Sequence, residues 1–449
     1  MNIKGKHITI LGAVRSGYAA AKLANSLGAV PFVSDLSDYE KLKDNFKGLK
    51  QAGIEFEYGN HSSRVYDCDF IVTSPGVPTN SEVLVEAKKR NIEIVSELEF
   101  ASWFCKGEII AITGSNGKTT TTMLTGHLFN YCGRKTFLAG NVGTAFSDIV
   151  SEVEEGDVVA LEVSSFQLDF IKSFKPKISA ILNVTPDHLD RYENSFENYL
   201  NSKLKVFSNQ TSEDFYVSNA DDKNLTKDIS NDNVTRYKFS LNEEVQKGCY
   251  LSGDEIVFVD GDNKESICKV EDLSLKGEHN IANVMAVINF AKIYNLETNK
   301  IKEALAAFSG VEHRLEFVRK VNNVDYINDS KATNVDSVWY ALRSFDKPLY
   351  LILGGKDKGN DYSQILDPVK KNVKKIYAIG SSAQKVFEYF SSYVSVEIID
   401  TLEECVNKAA GEAEEYSIVL LSPACASFDM FDNYEHRGKV FKEAVNKLV

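Results

Sequence analysis

The chain has 449 residues, of which 43% are hydrophobic, and a formal net charge of −13. This length allows two or three domains, and the acidic balance argues against broad nucleic-acid binding, although a small anion needs only a local group of cations. No apolar run approaches the ~20 residues of a membrane span. The seven cysteines are scattered without a C-x-x-C pair. They favour a reducing cytoplasm over a disulfide framework or a zinc site.

The first block, residues 1–107, alternates apolar strands with helical segments. Its strand and helix candidates, in order, are HITILG, SGYAAAKLANSLG, VPFVSD and DFIVTSPGVP. The N-terminal segment enters a strand directly and lacks a signal-peptide cleavage pattern. The alternation predicts an open, mostly parallel α/β sheet.

The turn after the first strand resembles a dinucleotide-binding fingerprint. Gly12 and Gly17 flank it, and Asp35 ends the next strand. Val14, however, occupies the position where the second glycine lets the backbone approach a pyrophosphate, which opposes a standard NAD-binding mode. Two interpretations stay open: a plain βαβ turn, or a nucleotide held differently, with Asp35 at its base or sugar.

The second block, residues 108–310, opens with the strand EIIAIT and the stretch ITGSNGKTTTTML. A Gly-rich turn between a strand and a helix directs backbone N–H groups toward phosphate. Lys118 would add a cation, and the Thr119 hydroxyl could ligate Mg²⁺. The usual first P-loop glycine is replaced by Ile112, and Gly114 supplies a glycine nearer to Gly117. A capped helix start with an incidental lysine is the alternative interpretation.

Three further polar residues follow strands or lie on a helix of this block. Glu162 lies at the strand end within DVVALEVSS, His188 ends ISAILNVTPDH, and Lys203 lies in the helix NYLNSKLKVF. Carboxyl ends of parallel strands face the ligand site, and Mg²⁺ prefers one or two carboxylates together with phosphate oxygens. Taken singly, each has an ordinary role as a capping carboxylate, a structural histidine or a surface charge.

Residues 214–275 are rich in strands and turns and predict a β-ribbon at one flank, followed by the helix IANVMAVINFAKIYN. The third block, residues 311–449, again alternates strands and helices. Polar loops follow its strands VDYI, PLYLIL and YSIVL. Because these loops should meet at one edge of a sheet, they predict a binding face for an anionic substrate.

Together these motifs resemble the Mur ligase family over the whole chain. The loop of that family is G-x-x-G-K-[ST]-[ST], which residues 114–120 match, so the missing first glycine is expected. The ending SPACASFDMFDNYEHRGKVF is similar to that of the members that add D-glutamate, and the D-N-P-R motif of relatives that add diaminopimelate or lysine is missing. The other matching segments are residues 140–143, 162–165, 183–190, 277–280, 312–314 and 329–334.

The resemblance implies three α/β domains. They are a Rossmann-like domain that binds the UDP substrate, a central P-loop-type ATPase domain with a mixed sheet, and a Rossmann-like domain that binds the amino acid. It also implies ATP-dependent phosphorylation of the carboxylate of UDP-N-acetylmuramoyl-L-alanine, followed by attack of the D-glutamate amine. Mg²⁺ and lysines would neutralise the phosphate charge in this cytoplasmic step of peptidoglycan precursor synthesis.

For ATP, the resemblance implies contacts with Gly114, Ser115, Asn116, Gly117, Lys118, Thr119, Thr120, Asn283, Arg314 and Asp329. Two Mg²⁺ ions are implied, one at Thr119 and Glu162 and one at His188 and Lys203. The family carries a carbamylated lysine at the position of Lys203, and carbamylation requires the neutral amine, which nearby positive charge favours. Lys118, Glu162, His188 and Lys203 are the implied catalytic residues.

The implied substrate contacts fall into two groups. Those for the UDP portion are Asp35, Ser74, Gly76 and Asn141. Those for D-glutamate are Lys331, Thr333, Lys358, Ser427 and Tyr434. Relatives often have Phe where this chain has Tyr434. We expect a monomer that binds neither nucleic acid nor membrane.

Three alternatives to a D-glutamate ligase are open. The first is a Mur-type or folylpolyglutamate-type ligase for another amino acid, which the chain ending opposes. The second is an NAD-dependent oxidoreductase built on the first block, which Val14 opposes. The third is a non-catalytic nucleotide-binding regulator, which would leave Glu162, His188 and Lys203 without a role.

Overall fold

The computed structural model describes residues 1–141, 143–226, 233–357 and 359–448. Val142 of the 140–143 segment and the predicted substrate residue Lys358 lie outside the described residues. Within these residues, three β-sheets with helices between their strands confirm the predicted α/β fold class. By contacts the chain divides into two compact units, one of Met1–Leu273 with Ala282–Ala307 and one of Ser274–Ile281 with Phe308–Val449. The boundaries of the three predicted blocks stay a prediction.

The first sheet is parallel throughout, as the alternation of strands and helices predicts. Its order is β3-β2-β1-β4-β5. The strands are β1 His7–Leu11, β2 Val30–Asp35, β3 Glu55–Tyr58, β4 Phe70–Thr73 and β5 Glu93–Ser96. The helices among them are α1 Arg15–Ser26, α2 Lys43–Gln51, α3 Glu82–Lys89 and α4 Glu97–Ser102.

The second sheet combines a parallel part with the predicted antiparallel ribbon. Its order is β14-β13-β12-β11-β10-β9-β6-β8-β7, and only the pairs β12–β13 and β13–β14 are antiparallel among the described strands. The strands are β6 Glu108–Thr113, β7 Thr136–Gly140, β8 Val158–Glu162, β9 Ile178–Ile181, β10 Phe215–Asn219, β11 Thr235–Ser240, β12 Lys247–Ser252, β13 Glu255–Asp260 and β14 Asn263–Lys269. The helices are α5 Lys118–Tyr131, α6 Phe146–Ile149, α7 Ser165–Leu168, α8 Phe196–Leu204, α9 Glu278–Ile293 and α10 Thr298–Ala307.

The central strands of this sheet are buried on both faces, which explains their nearly continuous apolar sequences. Every residue of β8 and β9 is buried, including Glu162 at the end of β8. One hydrophobic core includes Ile10 of the first sheet, Leu161 of the second sheet and Phe100 of α4. The two sheets therefore form a continuous scaffold within the first unit.

The third sheet lies in the second unit and has the order β15-β16-β20-β17-β18-β19. The strands are β15 Glu316–Val321, β16 Val324–Asn328, β17 Leu349–Gly354, β18 Val373–Ile379, β19 Ser395–Ile398 and β20 Ile418–Leu421. The helices are α11 Val335–Arg343, α12 Leu366–Asn372, α13 Ala383–Phe390, α14 Leu402–Glu412 and α15 Tyr434–Asn446. Side chains along β17 alternate between two apolar cores, with Leu351 in one and Ile352 in the other.

The order of the third sheet brings the three predicted polar loops to one edge. β20 lies between β16 and β17 and is parallel to both, so the carboxyl ends of all three strands are neighbours. Hydrogen bonds join the loops: Asp329 N donates to Leu421 O at 2.8 Å, and Lys356 N donates to Ala426 O at 2.8 Å. In the part of the chain that the structure describes, no helix is long and apolar enough to cross a bilayer.

Glu99 in α4 is the most heavily bonded carboxylate of the first unit among those described. It is 0% exposed and accepts hydrogen bonds from the backbone N–H groups of Lys172, Ser173 and Phe174 at 2.8–2.9 Å. Trp103 Nε1 and Ser173 Oγ also donate to it. Burial raises the pKa of Glu99, but these hydrogen bonds outweigh it, so the pKa lies below its usual value.

We expect Glu99→Gln to lower the free energy of unfolding by about 3 kcal/mol at neutral pH, because an amide turns its own N–H toward backbone donors. A depressed pKa in the folded state stabilises the fold above the unfolded pKa, and that contribution disappears as the pH falls through the folded pKa. The difference between variant and wild type should therefore shrink in acid. Urea unfolding followed by Trp103 fluorescence, in a Trp339→Phe background, measures both effects.

Glu93→Gln is the matched control, because Glu93 meets Lys172 at the surface with 45% of its side chain exposed. It should shift the urea midpoint little. A Glu99→Gln midpoint equal to that of this control would contradict the account.

Candidate active site

The Gly-rich loop joins β6 to α5 and depends on its two glycines. Gly114 has a φ of +151° and Gly117 a φ of +83°, conformations that residues with a Cβ rarely adopt. A Cβ at Gly117 would also overlap Oδ1 of Asn283 in α9. Asn283, a predicted nucleotide residue, therefore packs directly against the loop. The N-terminus of α5, whose first N–H groups lack intrahelical acceptors, follows at Lys118.

Asn183, just after β9, holds the loop in place. Its Oδ1 accepts from Asn116 N at 2.8 Å, its Nδ2 donates to Asn116 O at 3.1 Å, and its backbone O accepts from Ser115 N at 2.9 Å. Ser115 Oγ donates to Thr185 O at 2.8 Å. The loop is thus fixed to the 183–190 segment, and this role of Asn183 was not predicted from the sequence.

Two lysine amines meet at one carbonyl oxygen of this loop. Lys118 Nζ donates to Gly114 O and Ser115 O, both at 2.8 Å, and Lys203 Nζ donates to Gly114 O at 2.9 Å. Lys203 is only 2% exposed. Burial, and next the positive charge of Lys118, hold the pKa of Lys203 well below its usual value, while Asp187 opposes this shift. The site therefore favours the neutral amine at Lys203.

Glu162 forms a second polar cluster beside the first turn of α5. Its Oε2 accepts from Thr119 Oγ1 at 2.7 Å, and its Oε1 accepts from Asn141 Nδ2 at 3.1 Å. Glu162 is 2% exposed. Thr120, also predicted at the nucleotide, is buried in the same turn. The predicted pair Thr119 and Glu162 is thus in direct contact.

His188 lies in the segment that anchors the loop, with a φ of +53° at the start of a short 3₁₀ helix, Leu189–Tyr192. Its ring packs edge-on against Phe166, with 6.0 Å between centroids.

The Arg191 guanidinium lies against the same Phe166 ring, 4.7 Å from its centroid. Arg191 donates to Pro75 O at 2.8 Å and to Gly76 O at 3.2 Å. This role of Arg191 was not predicted; its one signal in the sequence is a cation three residues after His188.

The predicted UDP contacts Asp35, Ser74, Gly76 and Asn141 line one cavity of about 1090 Å³ at the carboxyl edge of the first sheet. Asp35 is already bonded to the backbone, because it accepts from Ala13 N at 2.6 Å and from Ser37 N at 2.7 Å. Among the described residues, the buried Ser74 Oγ has no hydrogen-bond partner.

Arg15 braces the segment that carries Asn141. Its guanidinium donates to Asn141 O at 2.7 Å, to Gly143 O at 2.7 Å and to Gly140 O at 3.3 Å. Asn141 lines the cavity and also binds Glu162. Arg15 thus fixes a residue shared by the cavity and the Glu162 cluster. Its position in a strand-to-helix turn gave no sign of this role.

In the second unit, the described residues of the predicted D-glutamate set are Lys331, Thr333, Ser427 and Tyr434. Lys331 Nζ donates to the Tyr434 hydroxyl at 3.1 Å and lies 4.8 Å from the centre of its ring. Ser427 is buried, and Thr333 is half-buried near Lys331. The buried Arg437 donates to Ser330 and to Cys425 O, which ties two of the loops together. This role of Arg437 was not predicted from the sequence.

Arg314 and Asp329, predicted at the nucleotide, also belong to the second unit. Asp329 accepts from Ser422 Oγ at 2.8 Å and from Leu315 N at 3.3 Å. Burial raises the pKa of Asp329 to about 7, although the Arg314 guanidinium acts in the opposite direction. Asp329 and Arg314 are therefore electrostatically coupled at this edge.

Known protein families match most of this chain. Family models match for a MurD N-terminal domain at residues 8–83, a Mur ligase middle domain at residues 112–291, and a Mur ligase, glutamate ligase domain at residues 313–425. A protein of Chloroherpeton thalassium named UDP-N-acetylmuramoylalanine--D-glutamate ligase is 42% identical over 99% of both chains. One of the same name from Christiangramia forsetii is 44% identical over 99% of this chain and 100% of its own.

Among solved structures, MurF ligase from Thermotoga maritima in complex with ADP is similar in fold. Its TM-score is 0.60 at 16% identity, with 93% of this chain and 95% of that chain covered. The three family models match segments that contain the three sheets, in the same order along the chain. The relative from Chloroherpeton thalassium matches 99% of the chain. This chain is therefore a member of the Mur ligase family.

Proposed function

We propose that the chain is an ATP-dependent amide ligase that adds D-glutamate to UDP-N-acetylmuramoyl-L-alanine in cytoplasmic peptidoglycan precursor synthesis. The observation that carries this proposal is full-length identity of 40–44% to relatives named for that reaction. The reaction proceeds through an acyl phosphate, because a carboxylate is a poor electrophile until it is phosphorylated. The ligase acts as a monomer.

ATP binds at the loop of residues 114–120 and the N-terminus of α5. The family resemblance extends this site to Asn283, Arg314 and Asp329. The bonds from Asn183 support the assignment, because they preorganise the loop before the nucleotide arrives. Lys118 now bonds to loop carbonyls, and these contacts are exchanged for phosphate oxygens on binding.

Mg²⁺ fits the cluster around Glu162, since a buried carboxylate beside a hydroxyl supplies the oxygen ligands that this ion prefers. Thr119 and Glu162 would hold one ion, and His188 and Lys203 would hold the other. Bound Mg²⁺ would offset the negative charge that gathers when a carboxylate meets ATP. The protein's own part is to keep these side chains oriented in a buried site.

Lys203 becomes a carbamate in the active protein. Its neutral amine attacks the carbon of CO₂; the new N–C bond forms, and the amine proton leaves to solvent. The product is a carboxylate-like anion, which explains a lysine near metal. Burial and the neighbouring Lys118 support this step because both favour the neutral amine.

D-Glutamate binds at the joined loops of the second unit, with Lys331, Thr333, Ser427 and Tyr434 as contacts. Lys358 belongs to the same set by family resemblance. The Lys331 ammonium, held against the Tyr434 ring, supplies positive charge for a substrate carboxylate. The UDP portion binds in the cavity that Asp35, Ser74, Gly76 and Asn141 line.

A ligase for a different amino acid and a non-catalytic regulator are the competing functions. The first shares the ATP chemistry and differs only in the amino acid consumed. The second is opposed by the two amines at Gly114 O, since a switch that only binds nucleotide has no need of a buried neutral lysine.

We expect phosphate release from ATP and Mg²⁺ only when UDP-N-acetylmuramoyl-L-alanine and D-glutamate are both present. L-Glutamate, L-lysine and meso-diaminopimelate, supplied one at a time, should give no release. Phosphate is measured with a coupled assay and the amide product by mass spectrometry. Release with one of the other amino acids would keep the family and overturn the proposed substrate, and release with none would favour the regulator.

We expect Lys203→Ala to lower ligase turnover by about a hundredfold or more, on the scale of losing one preorganised charged group, while ATP still binds. Wild-type protein in ¹³C-bicarbonate should show a carbamate carbon by ¹³C NMR that the variant lacks. Lys205→Ala is the matched control, because Lys205 lies on the same helical stretch with 43% of its side chain exposed. Unchanged turnover in Lys203→Ala would refute the metal assignment.

A further inference from the structure

Arg15 joins the start of α1 to the turn that follows β7, and 126 residues of chain separate it from Asn141 in that turn. Its Nη1 donates to Gly143 O at 2.7 Å, and its Nη2 donates to Asn141 O at 2.7 Å and to Gly140 O at 3.3 Å. The planar guanidinium reaches carbonyl oxygens through both Nη atoms at once, a fork that the single ammonium of a lysine lacks. The side chain therefore binds the turn at three points.

The helix α1 alone does not explain a cation at this position. Arg15 is its first residue, and the first turn of the helix contains no acidic side chain. A positive charge at a helix N-terminus is unfavourable, because the aligned peptide dipoles make that end partly positive. Among the described residues, the direct hydrogen-bond partners of Arg15 are the three carbonyl oxygens of the turn. The arginine therefore acts on the turn.

The turn places Asn141 directly on Glu162. Gly140 has a φ of +111°, and a Cβ there would lie 2.2 Å from Glu162 O, so the two backbones approach more closely than a side chain allows. Asn141 N donates to Glu162 O at 2.9 Å, and its Nδ2 donates to Glu162 Oε1 at 3.1 Å. Because Glu162 Oε2 accepts from Thr119 Oγ1, both carboxylate oxygens are held. The position of Asn141 therefore helps to set the orientation of this carboxylate.

Two other contacts keep the turn folded without Arg15. Strand β7 pairs with β8 as far as Gly140 and Glu162. On the other side of the turn, the buried Glu97 Oε1 accepts from Ser147 N in α6 at 2.7 Å. Loss of the guanidinium should therefore loosen the turn between these two points and leave the sheet and α6 intact.

We propose that Arg15 is a positioning residue of the ligase reaction, which holds residues 140–143 so that Asn141 stays on Glu162. The proposal rests on the proposed function, which assigns the UDP substrate to the cavity and Mg²⁺ to Glu162. Arg15 and Asn141 both line that cavity. A substrate in the cavity and an ion at Glu162 thus depend on the same amide side chain. Arg15 itself acts through the main chain and contacts no reacting atom.

The first test compares Michaelis constants. Arg15→Ala should raise the KM for Mg²⁺ by about tenfold or more, the scale for losing a group that orients a metal ligand. The KM for UDP-N-acetylmuramoyl-L-alanine should rise by about fivefold, the scale of one hydrogen bond. The KM for D-glutamate should not change, because its proposed contacts lie in the second unit. A variant that only folds less well would lower kcat and leave all three KM values unchanged.

Two further single variants separate geometry from charge. Arg15→Lys keeps the charge without the fork and should recover only part of both KM changes. Lys22→Ala is the matched control, because Lys22 is an exposed cation on the same helix. It should keep the wild-type KM values.

A double variant tests whether Arg15 acts through Asn141. If it does, Arg15→Ala combined with Asn141→Ala should have about the same KM for Mg²⁺ as Asn141→Ala alone, since the second change removes nothing further. Increases that multiply in the double variant would show that the two residues act independently.

A readout without ATP or metal is hydrogen exchange of residues 137–146 in the ligand-free protein, followed by mass spectrometry. The segment contains the amides of Gly140, which donates to Thr144 O at 3.0 Å, and of Asn141. Exchange should be faster in Arg15→Ala than in wild type and Lys22→Ala, because the turn has lost the arginine that holds it.

An unchanged KM for Mg²⁺ in Arg15→Ala, full rescue by Arg15→Lys, or independent effects in the double variant would overturn the inference while the proposed function stands. Wild-type protein without ligase activity would instead remove the proposed function. Hydrogen exchange then decides whether Arg15 positions the turn: faster exchange in Arg15→Ala supports this role, and equal exchange refutes it.

Discussion

The hydrogen bond from the buried Lys203 amine to Gly114 O is the interaction on which the active site depends. It places an ionisable group, 2% exposed, at the base of the Gly-rich loop beside a second lysine. Two ammonium groups at one carbonyl would repel each other, and a buried one would lose its hydration. The arrangement is stable with one neutral amine, and a neutral amine can react with CO₂.

Other side chains of the first unit hold this loop and the 1090 Å³ cavity in fixed positions. Asn183 fixes the loop to the strand end beside it. Arg15 braces the segment of Asn141, and Arg191 braces the loop of Pro75 and Gly76. Both arginines bond to backbone carbonyls of a distant segment, so they fix the position of main chain rather than of one side chain. The Gly-rich loop and the segments that line the cavity are therefore held together by hydrogen bonds within the first unit.

The sequence was a good guide to elements and a poor guide to contacts between them. β2 and β6 begin and end at the predicted residues, because buried parallel strands have apolar sequences bounded by polar turns. The Gly-rich loop was recognisable in the sequence because two of its positions adopt a positive φ that glycine favours. By contrast, 89 residues separate Lys203 from Gly114, and its helix pattern alone predicted a surface lysine. Residue patterns record local preference, and such a contact is set by the packing of the whole sheet.

The most direct test of the central claim, that ATP activates the substrate carboxylate, is an isotope transfer. UDP-N-acetylmuramoyl-L-alanine labelled with ¹⁸O in its alanine carboxylate is converted with ATP, Mg²⁺ and D-glutamate, and the released phosphate is analysed by mass spectrometry. Phosphorylation of the carboxylate predicts one ¹⁸O atom in each phosphate and the other in the new amide. Unlabelled phosphate, formed while the amide product accumulates, would contradict the account.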